Sequence, residues 1–579
     1  MIKKELAKIF YEIAAFLEIK EEDFKPRAYR RAASSLESME GSLEDIYNGG
    51  GVDALQKIPG IGKSIALKIE EYIRTGKVKE HEKLKKETPV EMKEMTKIEG
   101  VGPKTVKTLY KELGVKNIKE LEKAAKEKKI SPLFGFDEKT EKNILEGIDF
   151  LKKTKSRFPL GEISFRAKEV QKELEKLSEV KKINVAGSLR RMKETVGDVD
   201  FLIVSDDPEK VMEYFVSLPG VLKVWGKGST KASVRTAEGF DIDLRVIPEE
   251  SYGAALQYFT GSKEHNIALR KIAVEKGMKV NEYGVFKKEK MLEGGSEKGI
   301  YEILGMKWIP PELREDKGEI EASLEGKLPD ILDYKGIRGD LHCHTDWSGG
   351  ENGIEEIARA AELMGYEYIG IADHTKALKI ENGLDEKELL EQRKEIDKIR
   401  TKRKLKVEIL QGCEANILKD GSIDIEKEVL RELDFVIAGV HSHFKMEEKE
   451  MTRRMMKAME NPYVDIISHP TGRLIGMRDT YNIDLEEILR SARETGTVLE
   501  INAYPLRLDL SDVNIKKAKE AGVKMIINTD AHQKEQMEFM ELGISQARRG
   551  WAGKEDIVNT EKKDNFLKAL KRRKLKQDS

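Results

Sequence analysis

Cysteine and long apolar runs are scarce in this chain of 579 residues. Its two cysteines, Cys343 and Cys413, make a disulfide framework unexpected and a reducing cytoplasm the simpler setting. No run approaches the roughly 20 apolar residues that a bilayer-spanning helix requires, which excludes a transmembrane protein. Near the start, Ile2, Leu6 and Ile9 follow helical spacing, which is typical of an amphipathic helix and not of a signal peptide.

An excess of charge of one sign is also lacking. Lys and Arg total 105 against 106 for Asp and Glu, so the surface as a whole does not attract polyanions and any nucleic-acid contact is local. Histidine is rare but clustered, because seven of the nine histidines lie between His342 and His532. At roughly 150 residues per domain the chain comprises several domains. Its C-terminal part is chemically distinct.

Two short segments near the N-terminus look like copies of one unit: IPGIGKSIALKI from Ile58 and IEGVGPKTVKTL from Ile98. In each, a Gly-apolar-Gly hairpin precedes a helical pattern and leaves the first N–H groups of the helix available to a phosphate. One copy alone would indicate an ordinary helix-joining turn. Two copies favour helix-hairpin-helix units that hold a nucleic-acid backbone without reading its sequence. The candidate DNA-binding positions are Gly60, Gly62, Gly100 and Gly102.

Short strand-like runs follow from 158 to 248, with a helix predicted at 162–178. The string GSLRRMKETVGDVD ends on Asp198 and Asp200, and the run FDIDLRV carries Asp241 and Asp243. Residues i and i+2 of a strand project on one face, so three carboxylates from two strands can hold two Mg²⁺ ions about 3.5–4 Å apart. Alternation on a half-exposed strand explains most D-x-D pairs, but it does not explain this string followed by a second pair.

Donors for a triphosphate precede these carboxylates. Gly187 and Ser188 can offer backbone and hydroxyl donors, and Arg191 can neutralise charge. This part resembles the nucleotidyltransferase superfamily and, within it, the family X DNA polymerases, whose segment beside the nascent base pair is similar to YFTGSKEHNIALR from Tyr258. The resemblance implies metal ligation by Asp198, Asp200 and Asp243. It implies nucleotide contacts by Gly187, Ser188, Arg191, Gly197, Tyr258, Phe259, Asn266 and Arg270.

The stretch FKPRAYRRAA and the helix after the first hairpin resemble the lyase module of DNA polymerase beta. The resemblance makes Lys68 the catalytic Schiff-base lysine, with Lys25 and Tyr29 as neighbours that contact DNA. Schiff-base chemistry needs a neutral amine. In a chain this rich in lysine, a solvated lysine or a plain ligand for a 5′-phosphate is an equal alternative.

Beyond residue 333, strand-like runs such as YIGIADH and VKMIINTDAH alternate with helical patterns. Repeated βα units predict a barrel or an open parallel sheet with its chemistry at the carboxyl ends of the strands. Six of these ends carry side chains suited to Zn²⁺, Mn²⁺ or Fe²⁺, whereas a lone histidine would be a core or surface residue. The candidate ligands are His342, His344, His374, Glu414, His441, His469, Asp530 and His532.

This set resembles the PHP domain, named for polymerase and histidinol phosphatase. The resemblance implies a distorted βα barrel that holds up to three metal ions and hydrolyses phosphoesters. One position departs from the family, which reads S-D-G after its H-x-H strand, because here Ser348 is followed by Gly349. Asp346 or Glu351 could supply the missing carboxylate. His443 has no place in the family pattern.

Together the resemblances match bacterial and archaeal family X polymerases with a fused PHP domain. The expected fold is multidomain: α-helical helix-hairpin-helix N-terminal domains, an α+β nucleotidyltransferase palm and thumb, and a C-terminal distorted α/β barrel. The expected domains are a lyase-like helix-hairpin-helix domain (1–82), a second helix-hairpin-helix subdomain (83–157), the palm (158–250), the nascent-base-pair subdomain or thumb (251–316), a linker (317–332) and the PHP domain (333–579).

The expected function is gap-filling DNA repair synthesis, with 3′→5′ exonuclease, 3′-end processing or apurinic-site endonuclease activity in the PHP domain. Mg²⁺ or Mn²⁺ would serve the palm, and Mn²⁺, Zn²⁺ or Fe²⁺ the PHP site. The expected partners of a monomeric protein are dNTPs and gapped or nicked DNA with a 5′-phosphate, with no membrane. Two alternatives stay open: a nucleotidyltransferase acting on RNA or a small molecule, and a polymerase whose PHP domain is only a metal-stabilised scaffold.

Overall fold

A computed structural model describes residues 2–571, apart from 21, 23, 24, 39–42, 59, 89, 97, 99, 100, 155, 156 and 403. The chain forms two compact units, one of residues 1–155 with 476–478 and the other of residues 156–475 with 479–579. Across the described residues, no helix combines the length and the apolar character needed to traverse a bilayer.

The described part of the first unit is helical. The predicted amphipathic helix is its first element, in which Leu6, Phe10 and Ile13 are fully buried. Two apolar clusters stabilise the unit, one drawn from residues 6–84 and one mainly from 90–148. The helices are α1 (Ile2–Ile19), α2 (Lys25–Ser38), α3 (Leu43–Leu55), α4 (Lys63–Thr75), α5 (Lys79–Glu87), α6 (Met92–Met95), α7 (Pro103–Leu113), α8 (Ile118–Lys126) and α9 (Glu138–Thr154).

Both predicted hairpins lead into a helix whose capping residue is glycine. Gly62 precedes α4 and Gly102 precedes α7, each in an extended conformation and without a side-chain cap. Gly60 has φ +79°, and a side chain there would press on Arg31 at 2.9 Å. Gly100 lies outside the described residues. The start of each helix therefore carries no side chain from its capping residue.

The second unit begins with the palm, a five-stranded mixed sheet covered by helices. Its predicted helix is α10, which begins two residues before 162 and ends four residues before 178. The elements are β1 (Phe158–Pro159), α10 (Leu160–Leu174), β2 (Val180–Val185), α11 (Gly187–Arg190), β3 (Thr195–Val196), β4 (Asp198–Ser205), α12 (Pro208–Val216), β5 (Val221–Lys227), β6 (Lys231–Thr236) and β7 (Asp241–Val246).

The strand order of the palm sheet is β2-β4-β7-β6-β5, and β4 and β7 are parallel. Residues of β6 and β7 alternate between buried and more exposed, as expected for one covered face. The register sets Asp198 opposite Asp241 and Asp200 opposite Asp243. Both D-x-D pairs therefore lie side by side on adjacent strands.

The thumb packs helices around a small antiparallel sheet. Its elements are α13 (Tyr252–Thr260), α14 (Lys263–Glu275), β8 (Lys279–Asn281), β9 (Gly284–Lys287), β10 (Lys290–Glu293) and α15 (Glu297–Ile303). The segment 317–332, predicted as a linker from its charge and its breakers, instead contains α16 (Glu319–Leu324). Ile320 is buried in the apolar cluster of the thumb, and Glu319 pairs with His265 at 2.7 Å. These two contacts hold the segment against the thumb.

The C-terminal part consists of parallel strands alternating with helices. Its elements are β11 (Gly339–Cys343), α17 (Ile354–Leu363), β12 (Tyr368–Ile371), α18 (Glu386–Thr401), β13 (Glu408–Gln411), β14 (Glu414–Asn416), α19 (Lys427–Glu432), β15 (Ile437–Gly439), α20 (Glu448–Glu460), β16 (Ile466–Ile467), α21 (Leu485–Thr495), β17 (Val498–Asn502), α22 (Asp512–Glu520), β18 (Met525–Asn528), α23 (Met540–Arg549) and α24 (Lys563–Ala569).

Two single bridges close these strands into the predicted distorted barrel. The sheets are β11-β12-β13 and β14-β15-β16-β17-β18. Cys343 bridges to Ala531 beyond β18, and His374 beyond β12 bridges to Glu414 of β14. The ring of strands is therefore complete, with two short seams.

The palm and the barrel share an apolar core within the second unit. Leu508 and Leu542 of the barrel lie in the apolar cluster of the palm. In α10, a side chain at Gly161 would collide with Pro505 of the barrel, so this close packing depends on glycine at that position.

Candidate active sites

Three carboxylates come together on palm strands β4 and β7. Asp200 and Asp243 are paired across the strands, and Asp198 lies two residues before Asp200 on the same face. Burial, and after it the negative charges of Asp198 and Asp243, raises the pKa of the Asp200 carboxyl to about 7. A bound cation stabilises the ionised form of carboxylates that oppose one another's ionisation in this way.

The loop predicted to hold a triphosphate adjoins these carboxylates. Gly187 opens α11 with φ +61°, and a side chain there would collide with the Asp200 carboxylate. Glycine therefore permits the close approach of the loop to the carboxylates. Ser188 follows in the same turn, and both Ser188 and Gly197 are half-buried.

The fourth carboxylate of the two D-x-D pairs has other partners. Asp241 accepts a hydrogen bond from Arg235 Nη2 at 2.8 Å and another from Trp225 Nε1 at 2.8 Å. The Arg235 hydrogen bond is the main reason why the pKa of Asp241 lies below its usual range. Asp243 instead contacts the Ser233 hydroxyl and, at 3.4 Å, Lys231 Nζ. Because its carboxylate is already bound by Arg235 and Trp225, Asp241 differs from the three predicted metal ligands.

Affinity of the palm for Mg²⁺ is expected to rise with pH up to about 7 and to level off above it, because a proton on Asp200 competes with the cation. Below pH 7, the association constant for Mg²⁺ should rise by about tenfold per pH unit. Titration of Mg²⁺ between pH 5.5 and 8.5 would measure it. The Asp200→Asn variant should bind more weakly and lose the slope. An unchanged slope in that variant would show that another group titrates.

Both arginines of the GSLRR string bind carboxylates of the thumb. Arg191, the predicted triphosphate contact, donates through Nε to Glu315 at 3.0 Å and through Nη1 to the Thr260 carbonyl. Arg190 pairs with Glu297 at 2.6 Å. The sequence pattern predicts Arg191 but not these partners, which come from residues more than 65 positions away.

The predicted nucleotide-contacting residues of the thumb are joined by hydrogen bonds and by one ring contact. Asn266 Nδ2 donates to the Tyr258 carbonyl at 2.7 Å, and its Oδ1 accepts from Gln257 at 2.8 Å. The rings of Tyr258 and Phe259 meet edge to face with centroids 5.2 Å apart. Arg270 is exposed, and its Nε donates to the Asn266 carbonyl at 3.1 Å. Four of the predicted residues are thus adjacent.

The lysine predicted as a Schiff-base nucleophile is paired with a carboxylate. Lys68 Nζ lies 2.9 Å from Glu80 Oε2, which also accepts a hydrogen bond from Tyr29 at 2.8 Å. Burial opposes ionisation of Glu80, but Lys68 and Tyr29 outweigh it and lower the pKa of Glu80. Lys25 is exposed on the same unit. A carboxylate partner stabilises an ammonium, so this geometry favours the phosphate-ligand alternative.

The Lys68→Ala variant should bind 5′-phosphorylated gapped DNA about tenfold more weakly than the native chain, because one charge-assisted phosphate contact is lost. Anisotropy titrations at fixed salt would measure this, with gapped DNA lacking the phosphate for comparison. Lys83→Ala, on the exposed face of α5, is the matched control. Equal weakening on both DNAs would contradict the phosphate contact. A borohydride-trapped complex that disappears in Lys68→Ala would instead support the Schiff base.

The predicted histidines and carboxylates of the barrel gather into three overlapping groups. Within each group the ligand atoms lie within 4.8 Å of one another. His469 belongs to none of the three groups, but its Nε2 lies 3.0 Å from Glu414 Oε1. The groups are His344, His374 and His532; His342, His344 and Asp530; and His374, Glu414 and His441.

The donor set fits divalent metal ions. Among the described residues, several buried polar atoms of these groups form no hydrogen bond of good geometry and lie against one another, with His374 Nδ1 2.9 Å and His342 Nε2 3.4 Å from Glu414 Oε2. A cation bound among them would satisfy these buried atoms together. Imidazole and carboxylate together suit Zn²⁺, Mn²⁺ or Fe²⁺.

Histidines and carboxylates of the barrel groups shift one another's pKa. Burial disfavours ionised Glu414, but His441, His342 and other histidines hold its pKa well below the usual range. Burial also opposes a charge on His342, which Glu500 and Glu414 outweigh, so its pKa is raised. Burial and the neighbouring His532 lower the pKa of His344. The carboxylates therefore stay ionised and His344 stays neutral, which are the forms that bind metal.

Buried polar residues behind the predicted ligands were not identified from the sequence. Glu500 Oε1 lies 2.7 Å from His342 Nδ1, and Asn416 Oδ1 lies 2.9 Å from His441 Nδ1. Such contacts fix the orientation of a ligating imidazole. A usable signal existed, because Glu500 is a carboxylate inside the apolar run TVLEINA.

At the position that departs from the PHP family, a different carboxylate is nearby. Gly349 has φ +68°, and a Cβ there would lie 2.8 Å from Glu381 Oε2. Asp346 and Glu351, the two carboxylates predicted as substitutes, are both exposed. His443 is exposed and lies outside the three groups.

Fold and sites define a metal-dependent nucleotidyltransferase joined to a metal-dependent phosphoesterase. Family models match in the same order along the chain. They are a helix-hairpin-helix domain (1–78), a SAM-like helix-hairpin-helix tandem (92–149), the DNA polymerase beta palm (157–224), the DNA polymerase beta thumb (255–315) and the PHP domain (340–504).

Relatives match both the full length of the chain and its C-terminal part. The chain is 39% identical over 581 residues to the DNA polymerase/3′-5′ exonuclease PolX of Bacillus subtilis, which covers 99% of this chain and 100% of the relative. It is also 32% identical over 247 residues to a probable phosphatase of Thermoanaerobacter sp., covering 40% of this chain and 96% of that protein. A probable phosphatase of Caldanaerobacter subterraneus is 36% identical over 205 residues, 33% of this chain and 75% of that protein. The chain belongs to the family X DNA polymerases that carry a C-terminal PHP domain.

Proposed function

We propose that this chain fills short gaps in DNA during repair, by template-directed addition of dNTPs in the palm, and removes 3′-terminal nucleotides in the barrel. The three carboxylates beside the Gly187 loop carry the first part of the proposal. Mg²⁺ or Mn²⁺ is the proposed ion there, because carboxylate oxygens suit hard cations. We propose a monomer, and its two buried cysteines, which form no disulfide, fit a reducing cytoplasm.

In the palm, Asp198, Asp200 and Asp243 would hold the ions, which activate the primer hydroxyl and neutralise the triphosphate when bound. The backbone of Gly187 and the hydroxyl of Ser188 would orient the phosphates. In the thumb, Tyr258, Phe259, Asn266 and Arg270 would face the new base pair. Arg191 would take part of the triphosphate charge.

In the barrel, the eight predicted ligands would hold Mn²⁺, Zn²⁺ or Fe²⁺, which supplies a hydroxide nucleophile when bound. Glu500 and Asn416 would keep His342 and His441 in the orientation that ligation needs. The 3′-5′ exonuclease in the name of the Bacillus subtilis relative supports hydrolysis of a phosphodiester over a scaffold role. We propose 3′→5′ exonuclease action as the main reaction.

In the first unit, the glycine-capped starts of α4 and α7 would contact the DNA backbone on both sides of a gap. Binding would then depend on phosphates, weaken steeply with salt, and be stronger for gapped than for intact duplex. Lys68 would receive the 5′-phosphate of the gap.

Primer extension on gapped DNA tests the polymerase, with an RNA primer-template and a free nucleotide acceptor as competitors, and with each divalent metal in turn. Extension restricted to gapped DNA supports the proposal, and preference for RNA contradicts it. Release of 3′-terminal nucleotides from single strands tests the exonuclease, beside cleavage of an abasic duplex. Full metal loading without any hydrolysis would support the scaffold alternative.

A further inference from the structure

One helix of the barrel holds the palm loop that follows α11. Gln546 and Arg549 are three residues apart on α23 and so share a face. Gln546 Nε2 donates to the carbonyl of Met192 at 3.1 Å, and Arg549 Nη1 donates to the carbonyl of Arg191 at 2.7 Å. Two successive carbonyls of one palm loop are therefore bound from the barrel.

The conformation of that loop depends on such contacts. Met192 has φ +52°, in the left-handed region that costs free energy for a residue with a side chain. A residue persists there only where its surroundings determine its conformation. The hydrogen bond from Gln546 is one such contact, made immediately beside Arg191.

The same arginine of the barrel also binds the carboxylate partner of Arg191. Glu315 receives Arg191 Nε at 3.0 Å and Arg549 Nη1 at 3.1 Å on the same oxygen, with Lys193 Nζ at 3.5 Å on the other. The Arg549 side chain is only 3% exposed, and that of Glu315 is 11% exposed. Asp512 binds the remaining edge of the Arg549 guanidinium at 2.7 Å.

Burial of this kind makes the pairs interdependent. Burial alone would raise the pKa of Glu315, but Arg549, Arg191 and Lys193 outweigh it, so the carboxylate stays ionised. Removing Arg549 takes from Asp512 its partner at 2.7 Å, leaves Glu315 with Arg191 and Lys193, and frees the carbonyl of Arg191. The backbone of Arg191 then loses its hydrogen bond from the barrel, and Glu315 loses one of the two arginines that hold it.

We propose that Arg549 is a positioning residue of the polymerase site, which from the barrel fixes Arg191 in place to bind the triphosphate of the incoming nucleotide. The inference rests on the proposed function, since the role of Arg191 belongs to it. Arg549 acts through Arg191 and Glu315. The PHP domain thereby contributes to nucleotide binding in the palm as well as to the hydrolysis that it carries out itself.

The Arg549→Gln variant of the full chain should raise the KM for dNTP on gapped DNA about 5- to 20-fold, with kcat changed less than about threefold. The inhibition constant for inorganic pyrophosphate, the probe of the triphosphate contact, should rise in proportion. Arg549→Lys should show a smaller rise, because it keeps a positive charge beside Glu315 and Asp512. It should not restore the native KM, because one ammonium cannot bridge both carboxylates and the Arg191 carbonyl as the guanidinium does.

Glu315→Gln supplies the coupling test. If the two residues act through one arrangement, the double variant should be little worse than the poorer single variant. Lys168→Gln is the matched control, because it removes a cation from an exposed palm-to-barrel pair with Glu541 that lies apart from Arg191. Its KM should match the native value. Exonuclease activity retained by Arg549→Gln would report a folded barrel.

Three results would overturn the inference. They are a native KM and pyrophosphate constant in Arg549→Gln, strictly additive effects of the two single variants, or an equal rise in KM in Lys168→Gln. A native chain that extends no primer would instead contradict the proposed function. Calorimetric binding of pyrophosphate with Mg²⁺ to native and Arg549→Gln chains would then still test the positioning role.

Discussion

Replacing Asp198 and Asp200 together by alanine should abolish nucleotide addition, with a loss of about 10³-fold or more in kcat. Both carboxylates lie on the strand that faces Asp243, and the cations they would hold supply most of the chemistry of phosphoryl transfer. Single-nucleotide gap filling at saturating dNTP and Mg²⁺ would measure the loss. Binding to gapped DNA should stay within about twofold of native, because phosphate contacts elsewhere supply it.

Asp241→Asn is the matched control for this pair. Asp241 belongs to the second D-x-D pair, yet its carboxylate is bound by Arg235 and Trp225. Its replacement should leave gap filling within a few-fold of native. Incorporation at a native rate by the Asp198 and Asp200 double variant would contradict the assignment of the palm carboxylates as metal ligands. Equal losses in this variant and in Asp241→Asn would instead indicate a general defect of the sheet.

The His344→Ala variant should lose nuclease activity by about 10²-fold or more and keep polymerisation. His344 belongs to two of the three ligand groups, so its loss disturbs more than one metal position. Release of 3′-terminal nucleotides and metal content by mass spectrometry would measure the two effects. Polymerisation should persist because the palm uses its own carboxylates.

His443→Ala provides the comparison for that variant. His443 is exposed and lies outside the three groups. The nuclease activity and metal content of the variant should therefore be native. If His344→Ala binds less metal yet hydrolyses DNA at the native rate, the nuclease lies elsewhere in the chain. If both variants lose activity, access of DNA to the barrel rather than metal ligation is affected.

Local periodicity explains what the sequence predicted. A strand places residues i and i+2 on one face, so Asp198 and Asp200 could be paired without knowledge of the fold. Parallel strands end at one edge, so the ligands of the barrel could be grouped in the same way. The family resemblance added the order of the domains. None of this requires knowing which distant segments meet.

Long-range pairing explains what the sequence did not predict. Nothing in the D-x-D pattern indicates that Asp241 binds Arg235 or that Arg191 binds Glu315. Charge and breakers predict a linker where α16 lies, because the local pattern does not show that Ile320 is buried against the thumb. Contacts between palm and barrel depend on shape complementarity, as at Gly161. Such contacts produce no periodic pattern in the sequence.

The two seams of the barrel coincide with its ligand groups. One seam joins the end of β11, where His342 lies and which His344 follows, to the segment of Asp530. The other is the bridge between His374 and Glu414 themselves. A metal ion in either place would therefore also link two neighbouring strands, so metal binding there would stabilise the folded barrel as well as supply its chemistry.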